Sequence, residues 1–215
     1  MKKGLILFDL DGTLVNTVED LNQSLNYSFA KNGFPSRSVE DTALAIGNGI
    51  FITIKRLVPA DTSEEKLQQL LLDFRSHYRH HYLDHSLPYD GMVETLLELK
   101  KRGYLLAVTT NKLNEIAKDM IEHLFPNIFD YVQGDEVSLP KKPDPTIINM
   151  TIKRFDISKE NVWYVGDSEV DIESARNAKI KLILADYGFH RDSGFLSYKD
   201  AIHIQKSIEL LDVLK

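Results

Sequence analysis

Short apolar runs rich in β-branched and aromatic residues recur along the chain, and polar residues close several of them. The runs are Leu5–Phe8, Leu105–Val108, Phe129–Val132, Val162–Val165 and Leu182–Leu184. Runs this short and without alternation predict strands buried on both faces. Helical spacing fills the intervals. Met92, Leu96 and Lys100 recur every four residues with Leu97 beside them, and Gly103 stands where a helix takes its left-handed C′ residue. Asp144-Pro145 predicts the N-cap and first position of a helix reaching about Phe155, and Ser168 with Asp171 predicts a capping box. Strands alternating with helices predict an α/β fold, a doubly wound and mostly parallel sheet. Residues 16–87 break the alternation with helical text: Asp20–Asn32, Ile50–Val58 and Ser63–Leu83. That stretch is far too long for a loop. The expected organisation is an α/β core from residues 1–15 and 88–215, with an all-helical cap of residues 16–87 inserted after the first strand.

Composition narrows the chemistry. The 215 residues include no cysteine, so thiolate nucleophiles, disulfides and Cys-ligated metals are excluded. With 26 basic against 32 acidic side chains the net charge is −6, a poor match for wrapping nucleic acid. The apolar run after Lys2-Lys3 is stopped by Asp9 and Asp11, and no stretch has the length of a spanning helix. A cytoplasmic protein, without a nucleic-acid or membrane partner and existing as a monomer or weak homodimer, is expected.

Polar groups cluster at the C-terminal ends of the expected strands, where open α/β sheets form their ligand crevice. Asp9 and Asp11 follow the first strand, Thr110 and Asn111 the second, Lys141 and Lys142 the third, and Asp167 follows Val165-Gly166. Residues two apart in extended backbone share a side, so Asp9 and Asp11 repel unless a cation or proton intervenes. Each group also has a plain structural reading. Asp167 and Asp171 suit a helix N-terminus, Asn111 suits an N-cap, and the lysines suit a solvated loop. It is the order acid pair, Thr-Asn, Lys, Gly-Asp on successive strand ends that is specific.

Asp9-Leu10-Asp11-Gly12-Thr13-Leu14-Val15, Thr110-Asn111, Lys142-Pro143-Asp144-Pro145 and Gly166-Asp167-Ser168 with Asp171 resemble the four motifs of the haloacid dehalogenase-like hydrolase superfamily. Ile46-Gly47-Asn48-Gly49, Tyr89-Asp90-Gly91-Met92 and Tyr187-Gly188-Phe189 make the phosphoglycolate phosphatase branch the most similar. The resemblance implies a Mg²⁺-dependent phosphatase of small phosphorylated metabolites, possible substrates including 2-phosphoglycolate, with Asp9 as nucleophile and Asp11 as acid and base. It further implies that Thr110 and Asn111 bind substrate together with Gly47, Asn48 and Gly49 of the cap, and that Lys142 offsets charge. Asp9, the Asp11 carbonyl and Asp167 would hold the metal, with Asp171 supporting them. A sugar phosphomutase, a pyrophosphatase or nucleotidase, and a non-enzymatic phospho-accepting domain are the alternatives. Asn16, Leu113 and Lys179 depart from the family pattern.

Two side features stay open. His77, His81 and His85 fall at i, i+4 and i+8 with His80 adjacent, a spacing that serves either a polar helix face or a zinc site. Lys55 and Arg56 read as solvated helix charges or as partners for a substrate carboxylate.

Overall fold

The computed structural model describes residues 3–189 and 201–215. Its centre is a six-stranded parallel sheet in the order β5-β4-β1-β6-β7-β8. The strands are β1 (Gly4–Phe8), β4 (Tyr104–Leu113), β5 (Tyr131–Asp135), β6 (Val162–Gly166), β7 (Lys181–Ala185) and β8 (Ile202–Ile204). Alternation along β1 shows how the sheet is buried on both faces. Ile6 and Phe8 pack with Met92, Leu96 and Leu99 of α5 (Met92–Lys101) and with Met120 and Ile121 of α6 (Asn114–Leu124). Leu5 and Leu7 point the other way, into Ile147, Ile148 and Ile152 of α7 (Thr146–Phe155) and Ile172 and Ala175 of α8 (Glu169–Ala178). A last helix, α9 (Leu210–Val213), closes the first face with Leu210.

A second, antiparallel pair of short strands sits where the chain leaves the sheet and returns to it. Val15 and Asn16 of β2 pair with Pro88 and Leu87 of β3. Between them lie only helices: α1 (Val18–Lys31), α2 (Val39–Ala45), α3 (Ile50–Leu57) and α4 (Glu64–His81). They share their own core of Leu21, Leu25, Phe29, Ile54, Leu70 and Phe74, which also takes in Ile116 of α6. The helical unit thus rests on the strand ends of the sheet.

Several local expectations shift. The Phe129–Val132 run enters the sheet later, as β5. β8 and α2 are additional elements: β8 is very short, and α2 is held by a capping box between Ser38 and Asp41 rather than by an apolar stripe. The Asp144-Pro145 helix starts one residue later, at Thr146, whose N–H donates to Asp144 Oδ1 at 2.9 Å. The capping box of Ser168 and Asp171 forms. Gly103 lies at φ +90° just past α5, as its position predicts. The helix-cap alternative for Asn111 is excluded, because β4 continues through Thr110, Asn111 and Lys112 to Leu113 before α6 begins. β1 stops pairing at Val108, so this last part of β4 overhangs β1, while on its other side it still meets β5, where Leu113 pairs with Asp135 after an irregularity in register.

Candidate active site

Asp9 lies immediately beyond β1, and its N–H donates to Val165 O at 2.9 Å, one step past the ladder. The chain then turns sharply. Leu10 O accepts from the N–H groups of Thr13, Leu14 and Val15, and Gly12 takes φ +84°. Glycine is required there twice over. The φ is costly for an L side chain, and a Cβ would collide with the Asp167 carboxylate. Gly188 approaches the same carboxylate from the other side, where a Cβ would overlap the Asp167 side chain.

Beneath Asp9 sits Lys142, 1% exposed in its side chain. Its ammonium lies 2.9 Å from Asp9 Oδ1, 2.8 Å from Asp171 Oδ1 and 2.8 Å from Tyr164 Oη. Burial opposes this charge, yet the carboxylates of Asp171 and Asp9 hold the ammonium well above the ordinary lysine range. Asp171 is fully buried with both oxygens engaged. Lys142 and Tyr164 donate to Oδ1, and the N–H of Asp167, the N–H of Ser168 and Ser168 Oγ donate to Oδ2. It acts as an anchor, with both oxygens committed to these donors.

Asp9 is different. Its buried Oδ1 meets Lys142 at ion-pair distance but without the alignment of a hydrogen bond. Burial pushes its carboxyl up to about 6, against the pull of Lys142. Asp167 accepts from Thr13 Oγ1 and from the Phe189 N–H, each at 2.9 Å. Burial, and then the charges of Asp171 and Asp9, push it well above the carboxylate range. Oxygen atoms of Asp9, Asp167 and Asp171 come within 4.8 Å of one another. Two buried carboxylates that resist ionisation beside one lysine form a site short of positive charge. An all-oxygen donor set suits a hard divalent cation.

Above these groups opens a chamber roofed by the helical unit. Asp9, Asp11, Thr110 and Asp167 form its floor, and Ile46, Gly47, Gly49, Ile50 and Phe74 its roof. Asn111 is largely engaged elsewhere. Its Nδ2 donates to Gly47 O at 3.1 Å and Lys142 O at 3.0 Å, and its Oδ1 accepts from the Lys142 N–H at 2.9 Å. It therefore holds the Lys142 loop and the roof in place. Asn48 turns aside to accept from Arg56 at 2.5 Å, and it does not line the chamber although Gly47 and Gly49 do. Lys141 pairs with Asp135 at 2.6 Å.

A family model described as haloacid dehalogenase-like hydrolase matches residues 6–185. The chain belongs to the haloacid dehalogenase-like hydrolases. It is 32% identical to a phosphoglycolate phosphatase of Mesorhizobium japonicum, over 98% of each chain. Against a phosphoglycolate phosphatase of Agrobacterium fabrum it is 35% identical, over 86% of this chain and 81% of that one. A solved structure from Lactobacillus delbrueckii subsp. bulgaricus, provisionally assigned as a phosphoglycolate phosphatase, superposes with TM-score 0.93 at 26% identity, covering 100% of this chain and 99% of that one. This member of the haloacid dehalogenase-like hydrolases is a phosphoric monoester hydrolase in the phosphoglycolate phosphatase-like branch.

Within this hydrolase several site residues escape sequence reading. Tyr164 lies inside an apolar run, and nothing in the run marks its hydroxyl as a partner of Lys142. Lys112 Nζ donates to Asp11 Oδ1 at 2.8 Å and to Tyr78 Oη at 2.5 Å, across the seam between sheet and helical unit. A lysine next to Thr110-Asn111 was the one signal available. The histidine stripe does not assemble. α4 ends at His81, and His85 lies beyond it, paired with Asp20 at 2.9 Å. His77 stacks between Tyr27 and His81, and His81 pairs with Asp84 at 2.8 Å. Among the described residues the metal-capable group is the Asp9, Asp167 and Asp171 cluster alone. Lys55 and Arg56 do not line the chamber; Arg56 donates to Ala45 O at 2.9 Å. No helix among the described residues is long and apolar enough to cross a membrane.

Proposed function

We propose that this phosphatase hydrolyses a small phosphomonoester, with 2-phosphoglycolate the leading substrate, through an aspartyl-phosphate on Asp9 and with Mg²⁺ as cofactor. The observation that carries the reading is the buried Asp9 oxygen, unbonded except for the ionic approach of Lys142, beside a second buried carboxylate at Asp167. Asp9, Asp167 and the Asp11 main-chain carbonyl are the groups that would hold Mg²⁺. When bound, the ion supplies the positive charge that keeps Asp9 ionised and neutralises phosphoryl oxygens.

The chain's own residues do the rest. An Asp9 carboxylate oxygen attacks phosphorus as the bond to the leaving oxygen breaks, and Asp11 gives that oxygen its proton. Asp11 then takes a proton from water. The water oxygen attacks phosphorus, the bond to Asp9 breaks, and phosphate leaves. Lys142 offsets charge on Asp9 and the phosphoryl group while Asp171 fixes Lys142. Thr110 faces the phosphoryl oxygens from the β4 overhang. Residues 16–87 serve as the cap over a core of residues 1–15 and 88–215. Ile46, Ile50 and Phe74 exclude bulk water, and Gly47 and Gly49 admit backbone close to the substrate. The names of the curated relatives favour 2-phosphoglycolate, and the helical roof over the chamber favours a small molecule over a polymer.

The test is an initial-rate panel of phosphate release with Mg²⁺ and with chelator. It covers 2-phosphoglycolate, pyrophosphate, sugar phosphates, nucleoside monophosphates and an aryl phosphate. Mg²⁺-dependent release, fastest with 2-phosphoglycolate, is expected. No release from any substrate rejects the reading, and release at equal rate in chelator rejects the cofactor.

A further inference from the structure

Asp11 is held by a cation that the proposed chemistry leaves without a role. Lys112 stands in the β4 overhang with its side chain only 4% exposed. Its ammonium donates to Asp11 Oδ1 at 2.8 Å and to Tyr78 Oη at 2.5 Å, and it lies 4.8 Å from the Tyr78 ring centre. Asp11 follows β1 and Lys112 belongs to β4, but Tyr78 belongs to α4 of the helical unit. One ammonium therefore joins both strand ends to the lid. The same Asp11 oxygen accepts from Thr17 Oγ1 at 2.7 Å, at the position where the chain enters α1. The carboxylate is tied to the lid at its point of entry and again at its far helix.

We propose that Lys112 is a positioning residue that makes the placement of Asp11 depend on a closed lid, with Tyr78 as the lid's contact. This rests on the reading of Asp11 as the acid that protonates the leaving oxygen. The physical reason is local. Tyr78 is 3% exposed and covers Lys112 from above, so lifting α4 removes a hydrogen bond and a ring face from the ammonium and admits water around its pair with Asp11. An ion pair is several-fold weaker in water than in a protein interior, so Asp11 is released when the lid rises and gathered when it falls. No other lysine of the chamber does this work, since Lys141 is paired with Asp135 and Lys142 with Asp9 and Asp171. The arrangement confines proton delivery to the closed, water-poor state.

The experiment uses leaving-group sensitivity. kcat/KM reports the chemistry up to leaving-group departure. An alkyl phosphate needs a proton for that step, and p-nitrophenyl phosphate needs it far less. The alkyl-to-aryl ratio of kcat/KM is measured for the wild type, Asp11→Asn, Lys112→Met and Tyr78→Phe, each checked for folding by circular dichroism. Asp11→Asn is expected to lower the ratio by about 100-fold, Lys112→Met by about tenfold and Tyr78→Phe by about threefold. A purely structural lysine lowers both substrates together and leaves the ratio unchanged. If Asp11→Asn lowers the ratio and Lys112→Met does not, the proposal falls while the role of Asp11 stands. An unchanged ratio in Asp11→Asn overturns that role and the proposal with it. Should Lys112→Met fail to fold, Tyr78→Phe decides, because it removes a single hydroxyl; a ratio equal to wild type then counts against the proposal.

Discussion

Lys142 Nζ and Asp171 Oδ1 lie 2.8 Å apart with side chains 1% and 0% exposed, a salt bridge sealed beneath the proposed nucleophile. Asp171 does not line the chamber, yet it fixes where the Lys142 charge sits. Breaking a buried pair strands the remaining charge at a cost of about 3–5 kcal/mol. Asp171→Asn is expected to lower unfolding free energy by about 3 kcal/mol in denaturant titration. Activity should fall with it, because the Lys142 ammonium loses its anchor. A variant of wild-type stability would show that the pair contributes nothing net.

Gly188 tests the packing around Asp167 without touching a charge. Its added Cβ meets the Asp167 side chain directly, and no positive φ complicates the substitution. Gly188→Ala is expected to displace the carboxylate and to raise the Mg²⁺ concentration needed for half-maximal activity by about tenfold or more. Equal Mg²⁺ dependence in the variant would remove Asp167 from the cation site.

Lys179 ends α8 in the left-handed conformation, φ 57° and ψ 53°, where an L side chain costs about 1 kcal/mol relative to glycine. The residue is exposed and far from the chamber. Lys179→Gly is expected to raise stability by about 1 kcal/mol with kcat unchanged, read by thermal unfolding and initial rates.

A pH effect resides in the helical unit. Asp73 accepts from Gln69 at 3.0 Å, Lys31 at 2.5 Å and Asn32 at 2.9 Å, and these donors lower its carboxyl to about 2. A lowered native value means the contribution is fully present above the usual carboxylate value of 3.8 and is lost as pH falls toward 2. Lys31 is half exposed, so solvent screens part of it. Asp73→Asn is expected to cost about 1 kcal/mol at pH 6, with the gap to wild type closing between about pH 4 and 2. A gap independent of pH would assign the loss to packing.

Much of the site was legible because the topology of a parallel sheet gathers strand ends. Asp9, Thr110, Lys142 and Asp167 each follow or extend a strand, so knowing the strands sufficed to bring them together. The helix-cap alternative for Asn111 fails because β4 runs on past the end of β1, and whether such an extension stays in strand depends on what pairs with it and covers it. Tyr164 was hidden by its own burial, since an apolar strand does not advertise one hydroxyl. The link between Lys112 and Tyr78 spans two units, and no local pattern records how one docks on the other. The histidine spacing was legible but misleading, because the helix it presumes ends before His85.

The central claim is that Asp9 carries the phosphoryl group between substrate and water. The most direct measurement mixes the enzyme with substrate labelled in the phosphoryl group, quenches in acid within one turnover and maps the label by peptide. Label is expected on the peptide bearing Asp9, chased by unlabelled substrate and absent from Asp9→Asn, which neither takes up label nor releases phosphate. Phosphate release at a wild-type rate from Asp9→Asn, or label resident on another residue, would contradict it.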